Sequence, residues 1–306
     1  MKHLIIILLS CFLLASCSKN DPPGWKYPDM SQVPKTPEGD KIRYGKELIS
    51  HTNIHIGPYA ENPARRFAGN NLECGNCHID AGTRPNTLGF VGVYLLFPAY
   101  SGRVDTIISI RQRINDCMVR SMNGRPLPLE SYEMECIVSY YKWVSTEVSK
   151  QVPEKYDGLR KLKLLDRAAD PNLGRMIYNR KCNTCHAENG AGAYLSGDIE
   201  KGFDIPALWG IDSYNDGAGM YRLITAAEFI KAKMPYYNAD LTDEEAWDVA
   251  AYVISKPRPQ LAGVEKDFPD LNEKPVDCPF PPYADSHSAE RHKYGPFTGL
   301  SGKFPK

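Results

Sequence analysis

The sequence predicts a mainly α-helical protein of two tandem helical domains, with extended proline-rich segments at the N- and C-terminal ends. Three observations carry that expectation. A Cys-x-x-Cys-His pentapeptide occurs twice, as Cys74-Gly75-Asn76-Cys77-His78 and as Cys182-Asn183-Thr184-Cys185-His186. Each copy follows a helix-forming segment with a glycine at its centre: Gly45-Lys46-Glu47-Leu48-Ile49 is echoed by Gly174-Arg175-Met176-Ile177-Tyr178. Each is followed, after a loop region, by a segment that opens with acidic residues and then places apolar side chains at helical spacing. These are Met134, Ile137, Tyr141 and Val144 in the first half, and Trp247, Ala250, Ala251 and Ile254 in the second. Carboxylates suit a first turn because the helix dipole is positive there.

The pentapeptide is the attachment pattern of c-type haem, in which two thiols form thioethers to the vinyl groups and the histidine binds iron from one side. A chain with 9 Cys and 7 His among 306 residues does not produce it twice by accident. Zinc would need a further matched Cys/His pair, and the histidines are badly placed for one. A redox Cys-x-x-Cys belongs in a strand-to-helix unit rich in β-branched residues, which neither copy has. Helix, haem motif, loop and helix in that order make a class I cytochrome c-like domain, here in tandem. The expected cofactors are two covalently bound haem c groups.

Boundaries follow from composition. Residues 41–150 form the N-terminal domain and 151–256 the C-terminal domain, joined by a charged connection, 146–170, that contains Pro153. Residues 257–306 hold seven prolines by Pro282 and read as an extended tail wrapping the body. Residues 1–16, "MKHLIIILLSCFLLAS", have a basic start and an apolar run too short to span a bilayer comfortably, as in a secretory signal. Leu14-Ala15-Ser16-Cys17 looks like a bacterial lipobox with Cys17 acylated, which makes 17–40 a lipid-anchored linker. The expected location is the bacterial cell envelope, on the periplasmic side, held to the membrane by that anchor. The 37 basic and 37 acidic residues balance, which gives no reason to expect nucleic acid as a partner. With Cys11 lost, Cys17 lipidated and four cysteines on haem, Cys117, Cys136 and Cys278 remain. An odd number in an oxidising compartment leaves at least one thiol in need of another occupation.

The second axial ligand sets what a haem does. For the second haem, Met234 in "KAKMPYY" stands 48 residues after His186 and precedes a proline, as in a His/Met cytochrome c. Lys233 beside it either competes for iron as an uncharged amine or attracts an acidic partner. The first half offers Met118, Met122 and Cys117 in "RINDCMVRSMNG". Cys117 is the unpaired thiol; as a thiolate ligand it would lower the potential, with Arg113 and Arg120 keeping it ionised. The alternative for Cys117 is a buried inert thiol.

The stretches "NNLECGNCH", "AGTRP", "FPAYSGR", "RINDCMVRSMNGRPLP", "KMP" and "KPVDCPFPPYADS…HKYGPF" resemble the dihaem thiosulfate dehydrogenase family, over roughly residues 45–300. That resemblance implies coupling of two thiosulfates into tetrathionate, or the reverse, at a first haem ligated by His78 and Cys117. Arg103, Arg113 and Ser121 would surround the substrate, and Lys233-Met234 would fall where the family's second haem exchanges ligands. Electrons would leave through the second haem to a small soluble cytochrome c or another high-potential carrier. Two features depart from the family: Asp116, where a small residue is usual, and the lipid anchor.

Three other readings compete. A plain electron-transfer cytochrome needs no arginines beside its haem; a tetrathionate reductase differs only in direction; a dihaem peroxidase needs an extra histidine, for which His51 and His55 are the nearby options. Trp143, Trp209 and Trp247 read as packing, His287 and His292 as exposed, and the amides before Cys74 as residues that turn the chain.

Overall fold

The computed structural model describes residues 25–148 and 158–304; the signal segment, Cys17 and Pro153 lie outside the described residues. In chain order the helices are α1 (Pro37–Ser50), α2 (Thr52–Ile56), α3 (Cys74–Cys77), α4 (Ile79–Gly82), α5 (Ile110–Arg120), α6 (Tyr132–Val144), α7 (Pro171–Lys181), α8 (Asn183–His186), α9 (Leu223–Lys233), α10 (Asp243–Ile254) and α11 (Ala289–Tyr294). Two antiparallel ribbons interrupt them. Strands β1 (Ala99–Ser101) and β2 (Thr106–Ile108) pair before α5, and β3 (Ala193–Tyr194) and β4 (Phe203–Ile205) pair after α8.

Helix α1 begins at Pro37, earlier than the expected start near Lys41. Thr36 caps it by accepting from the Gly39 amide, Pro37 fills a first-turn position that needs no N–H, and Glu38 and Asp40 meet the dipole. The preceding segment is not all tether: Val33 is buried, and Trp25 Nε1 donates to Thr83 O at 2.7 Å.

One contact builds both halves. Helix α1 packs on α6, and α7 on α10. The echoed glycines lie at these crossings. A Cβ on Gly45 would come within 2.0 Å of Cys136 O, and one on Gly174 within 1.9 Å of Asp248 O. The first core gathers Leu48, Ile49, Met134, Ile137 and Tyr140, and the second Leu223, Trp247, Ala250, Ala251 and Ile254.

The tail is more than extended chain. Val276, Phe297 and Leu300 complete the second core, and α11 is capped by Ser288, which accepts from the Arg291 amide. His292 is buried, contrary to the expectation from sequence. Its Nδ1 lies 2.8 Å from Val276 O and its Nε2 3.1 Å from Asp285 Oδ1, with Tyr283 stacked on the ring. Cys136 and Cys278 are both buried and free. Among the described residues no helix is long and apolar enough to cross a membrane.

Two outcomes follow. Gly45→Val and Gly174→Val each force a side chain into a backbone carbonyl, so chemical unfolding of the holoprotein is expected to show a loss of roughly 1–3 kcal/mol for either. Wild-type stability in both variants would refute the crossing. Asp285 is pushed up by partial burial, but the amides of Ser301 and His287 and the His292 ring outweigh this and hold it at about 2. A depressed carboxylate stabilises above its unfolded value, so tail docking is complete above 3.8 and lost as pH falls from there through about 2. Acid-dependent hydrogen exchange around Ser301 reads this, and in Asp285→Asn the dependence is expected to vanish.

Candidate active site

The first pentapeptide sits on α3 and the turn after it. The Cys74 amide donates to Thr52 Oγ1 at 3.1 Å, and the Glu73 amide to Asn76 Oδ1 at 2.8 Å, which seats the start of α3. His78 Nδ1 is engaged by the Leu88 carbonyl, leaving Nε2 as the coordinating nitrogen. Burial, chiefly, holds this imidazole down to about 4, so it is neutral, as an iron ligand must be. Cys74, Cys77 and His78 open onto a cavity of about 720 Å³ with walls that include Ile49, Leu72, Phe90, Ile114 and Met118. Two thiols, an oriented neutral imidazole and apolar walls fit a haem.

The second motif repeats the orientation. His186 Nδ1 lies 3.0 Å from Pro206 O, and burial lowers the ring's pKa. Met234 and Lys233 stand at the C-terminal end of α9. Met234 is half-buried against a cluster containing Ile79, Leu159 and Phe229, with Leu88 and Met220 alongside. Because Ile79 and Leu88 belong to the first half, the end of α9 lies at the junction of the two domains.

Helix α5 presents the other wall of the first cavity. Ser109 and Gln112 form a capping box at its start, and Cys117 falls in its last turn. Arg113 precedes Cys117 by one turn, and its Nη1 donates to Cys117 Sγ at 2.9 Å. Arg113 is shifted upward, first by the charge of Cys117 and also by Asp116, while burial opposes the rise. Met118 and Met122 are buried and line the haem cavity alone. Cys117 lines that cavity and also a neighbouring polar one of about 510 Å³, together with Arg103, Arg113, Asp116 and Ser121. The four residues expected from sequence to be catalytic thus line one cavity, and Arg113, Cys117 and Ser121 also line the haem cavity.

Arg120 corrects the sequence reading. It lines the same pocket as Cys117, but its guanidinium is taken: both terminal nitrogens bond Asp267, at 2.7 and 2.8 Å, and Nη1 also donates to Gly217 O at 3.1 Å. Asp267 accepts from Arg103 Nη1 too, at 2.6 Å. The second domain adds Arg222 and Thr225 to the pocket, with Arg222 paired at 3.3 Å to the fully buried carboxylate of Asp277. Nothing local to "KDFPD" or "MYRLIT" marks these residues. The one sequence signal was the tail motif "KPVDCP", which contains Asp277.

The amides before Cys74 tie the halves together. Asn70 Nδ2 donates to Ser121 O at 3.0 Å and Ser213 O at 3.1 Å, and Asn71 bonds Asp212 through its backbone and side-chain nitrogens.

Two helical domains, each with a Cys-x-x-Cys-His motif and an oriented histidine, define a c-type cytochrome. Residues 65–149 match the model of the SoxA/TsdA cytochrome c domain, and 169–253 that of cytochrome C oxidase, cbb3-type, subunit III. The chain is 37% identical over 251 residues to thiosulfate dehydrogenase of Psychrobacter arcticus, covering 81% of this chain and 72% of that one. It is 37% identical over 257 residues to thiosulfate dehydrogenase of Allochromatium vinosum, covering 82% and 91%. The as-isolated structure of thiosulfate dehydrogenase (TsdBA) from Marichromatium purpuratum matches 78% of this chain with a TM-score of 0.70 and 31% identity; the present chain spans 50% of that longer one. The chain belongs to the thiosulfate dehydrogenase family and is an oxidoreductase.

Proposed function

We propose that the protein joins two thiosulfates into tetrathionate in the polar pocket, with two covalently bound haem c groups receiving the electrons. The observation that carries this reading is the Arg113–Cys117 contact of 2.9 Å at the wall shared by haem cavity and pocket. The chemistry must overcome charge. Two thiosulfate dianions bring four negative charges together, and each unit pair at about 4 Å costs roughly 1 kcal/mol in water and several-fold more in a partly buried site. Arg103 and Arg113 offset that repulsion with planar forks, and the Ser121 hydroxyl adds a donor.

Cys117 supplies a covalent route. Its thiolate bonds the outer sulfur of one thiosulfate to give a cysteine S-thiosulfonate, with release of two electrons. The outer sulfur of the second thiosulfate then attacks the thiosulfonate; the new S–S bond forms tetrathionate and the cysteine thiolate departs unchanged. His78, Cys74 and Cys77 would hold one haem beside the pocket and His186, Cys182 and Cys185 a second, the pair supplying acceptance and onward transfer of the electrons. Met234, or Lys233 in its place, would be the second ligand of the latter haem.

Run backwards, the same steps reduce tetrathionate. The partner is a small soluble cytochrome c or another high-potential carrier, and acylated Cys17 holds the enzyme to the membrane on the periplasmic side of the envelope. Pure electron transfer is the weaker reading, because it gives an arginine pocket beside a cysteine no task.

Cys117→Gly tests the reading: both haems should remain attached while thiosulfate-dependent reduction is abolished. Retained turnover would sink it. In the oxidised wild type, paramagnetic resonance should give the narrow low-spin g-spread of thiolate ligation, absent in the variant. Arg113→Leu removes a charge-assisted bond, and kcat/KM for thiosulfate is expected to fall about 10- to 100-fold, measured with a high-potential acceptor.

A further inference from the structure

We infer that Asp267, in the C-terminal tail, is a positioning residue for anion binding, acting by aiming Arg103 into the pocket. This rests on the reading of that pocket as the substrate site and adds to it a tail residue that does not line it.

Arg103 is poorly placed to hold a direction by itself. It lies in the turn between β1 and β2, a ribbon of three residues per strand, with an exposed Tyr100 and Ile107 on it. A long side chain on a hairpin tip keeps its rotamer freedom unless something removes it, and ordering such a chain costs up to about 2 kcal/mol. Three contacts from the tail remove it. Asp267 Oδ2 accepts from Arg103 Nη1 at 2.6 Å. The Phe268 amide donates to Arg103 O at 2.9 Å, so the backbone is held as well as the guanidinium. The Phe268 ring lies 5.1 Å from the Arg103 guanidinium carbon, within cation–π range.

The carboxylate is itself rigidly seated. Arg120 grips it through both terminal nitrogens and is anchored in turn to Gly217 O, in the second domain. A continuous strut therefore runs from Gly217 through Arg120 and Asp267 to Arg103. Phe268 holds a left-handed φ of +64°, a conformation a bulky side chain adopts only when its surroundings impose it. Asp267 engages one nitrogen of Arg103, so the rest of the fork stays available to the pocket that Arg103 lines. Asp267 does not line that pocket, whereas Arg103 and Arg120 both do, so its effect on an anion passes through these arginines, and the cycle with Arg103 separates the two.

Sulfate, an unreactive tetrahedral dianion, reads the pocket's affinity without turnover. Calorimetric titration of the oxidised holoprotein is expected to show binding about tenfold weaker in Asp267→Asn, the scale of a hydrogen bond to a charged group. Asp267→Glu keeps the charge on a longer arm and is expected to lose about threefold, within the same range. If the loss passes through Arg103, Asp267→Asn should change affinity by less than about twofold in an Arg103→Ala background. That non-additivity is a readout that a general loss of fold would not produce. Unchanged affinity in Asp267→Asn overturns the assignment, as does the same loss in the Arg103→Ala background. Tighter binding does so too, since the carboxylate would then only oppose the anion. If Asp267→Asn yields no folded holoprotein, the cycle is run with Asp267→Glu under the same criteria. Thiosulfate-dependent reduction of the wild type is measured alongside; its absence refutes the functional reading and leaves the sulfate cycle to decide on Asp267.

Discussion

The site depends on how the C-terminal end of α5 is finished. A helix leaves its last carbonyls without partners, and one left bare in a buried place costs about 1–3 kcal/mol. Here they are taken up from two directions. Asn215 Nδ2 donates to Val119 O at 2.9 Å and the Asn215 amide to Arg120 O at 3.2 Å, both from the second domain. The Gly69 amide donates to Met122 O at 2.8 Å, and Asn70 Nδ2 to Ser121 O at 3.0 Å, both from the approach to the first haem motif. One helix end thus clamps together the haem-binding segment, the cysteine helix and the partner domain. Cys117 can stand between two cavities because the residues after it are secured on both sides.

Charge is managed by the same economy. Arginines gathered around one pocket need counter-charges, because unpaired guanidinium groups at close range repel one another and burial disfavours their charge. Burial and the neighbouring Arg120 both lower the pKa of Arg103, while Asp267 raises it. Asp277 pairs with Arg222 at 3.3 Å and also accepts from the Ile224 amide at 2.9 Å, at the start of α9. Both carboxylates come from the tail. The proline-rich segment therefore shapes the pocket as well as completing the second core.

The two-domain plan was legible from the chain because its signals are local and repeated. Haem attachment needs two thiols and a histidine at fixed spacing, and helix pairs need apolar residues at helical period. The paired glycines mark places where two backbones nearly touch. Arg113, Cys117 and Ser121 came together for a similar reason: they stand at four-residue intervals over about two turns of α5 and its C-cap, where spacing translates directly into proximity, although the role of Ser121 came from the family resemblance.

Arg120 shows where that translation stops. Its spacing from Cys117 would serve as well as that of Arg113, but both of its terminal nitrogens are taken by Asp267, far along the chain. The partners of Arg103, the burial of His292 and the entry of Arg222 into the pocket are likewise contacts between segments that have no periodic relation to one another. The sequence by itself determined the haem motifs, the helices that flank them and the cysteine with its nearest arginine. Tertiary structure alone decided which charges meet across the domains, because ion pairs over such separations depend on how the tail lies on the body, and no local pattern encodes that path.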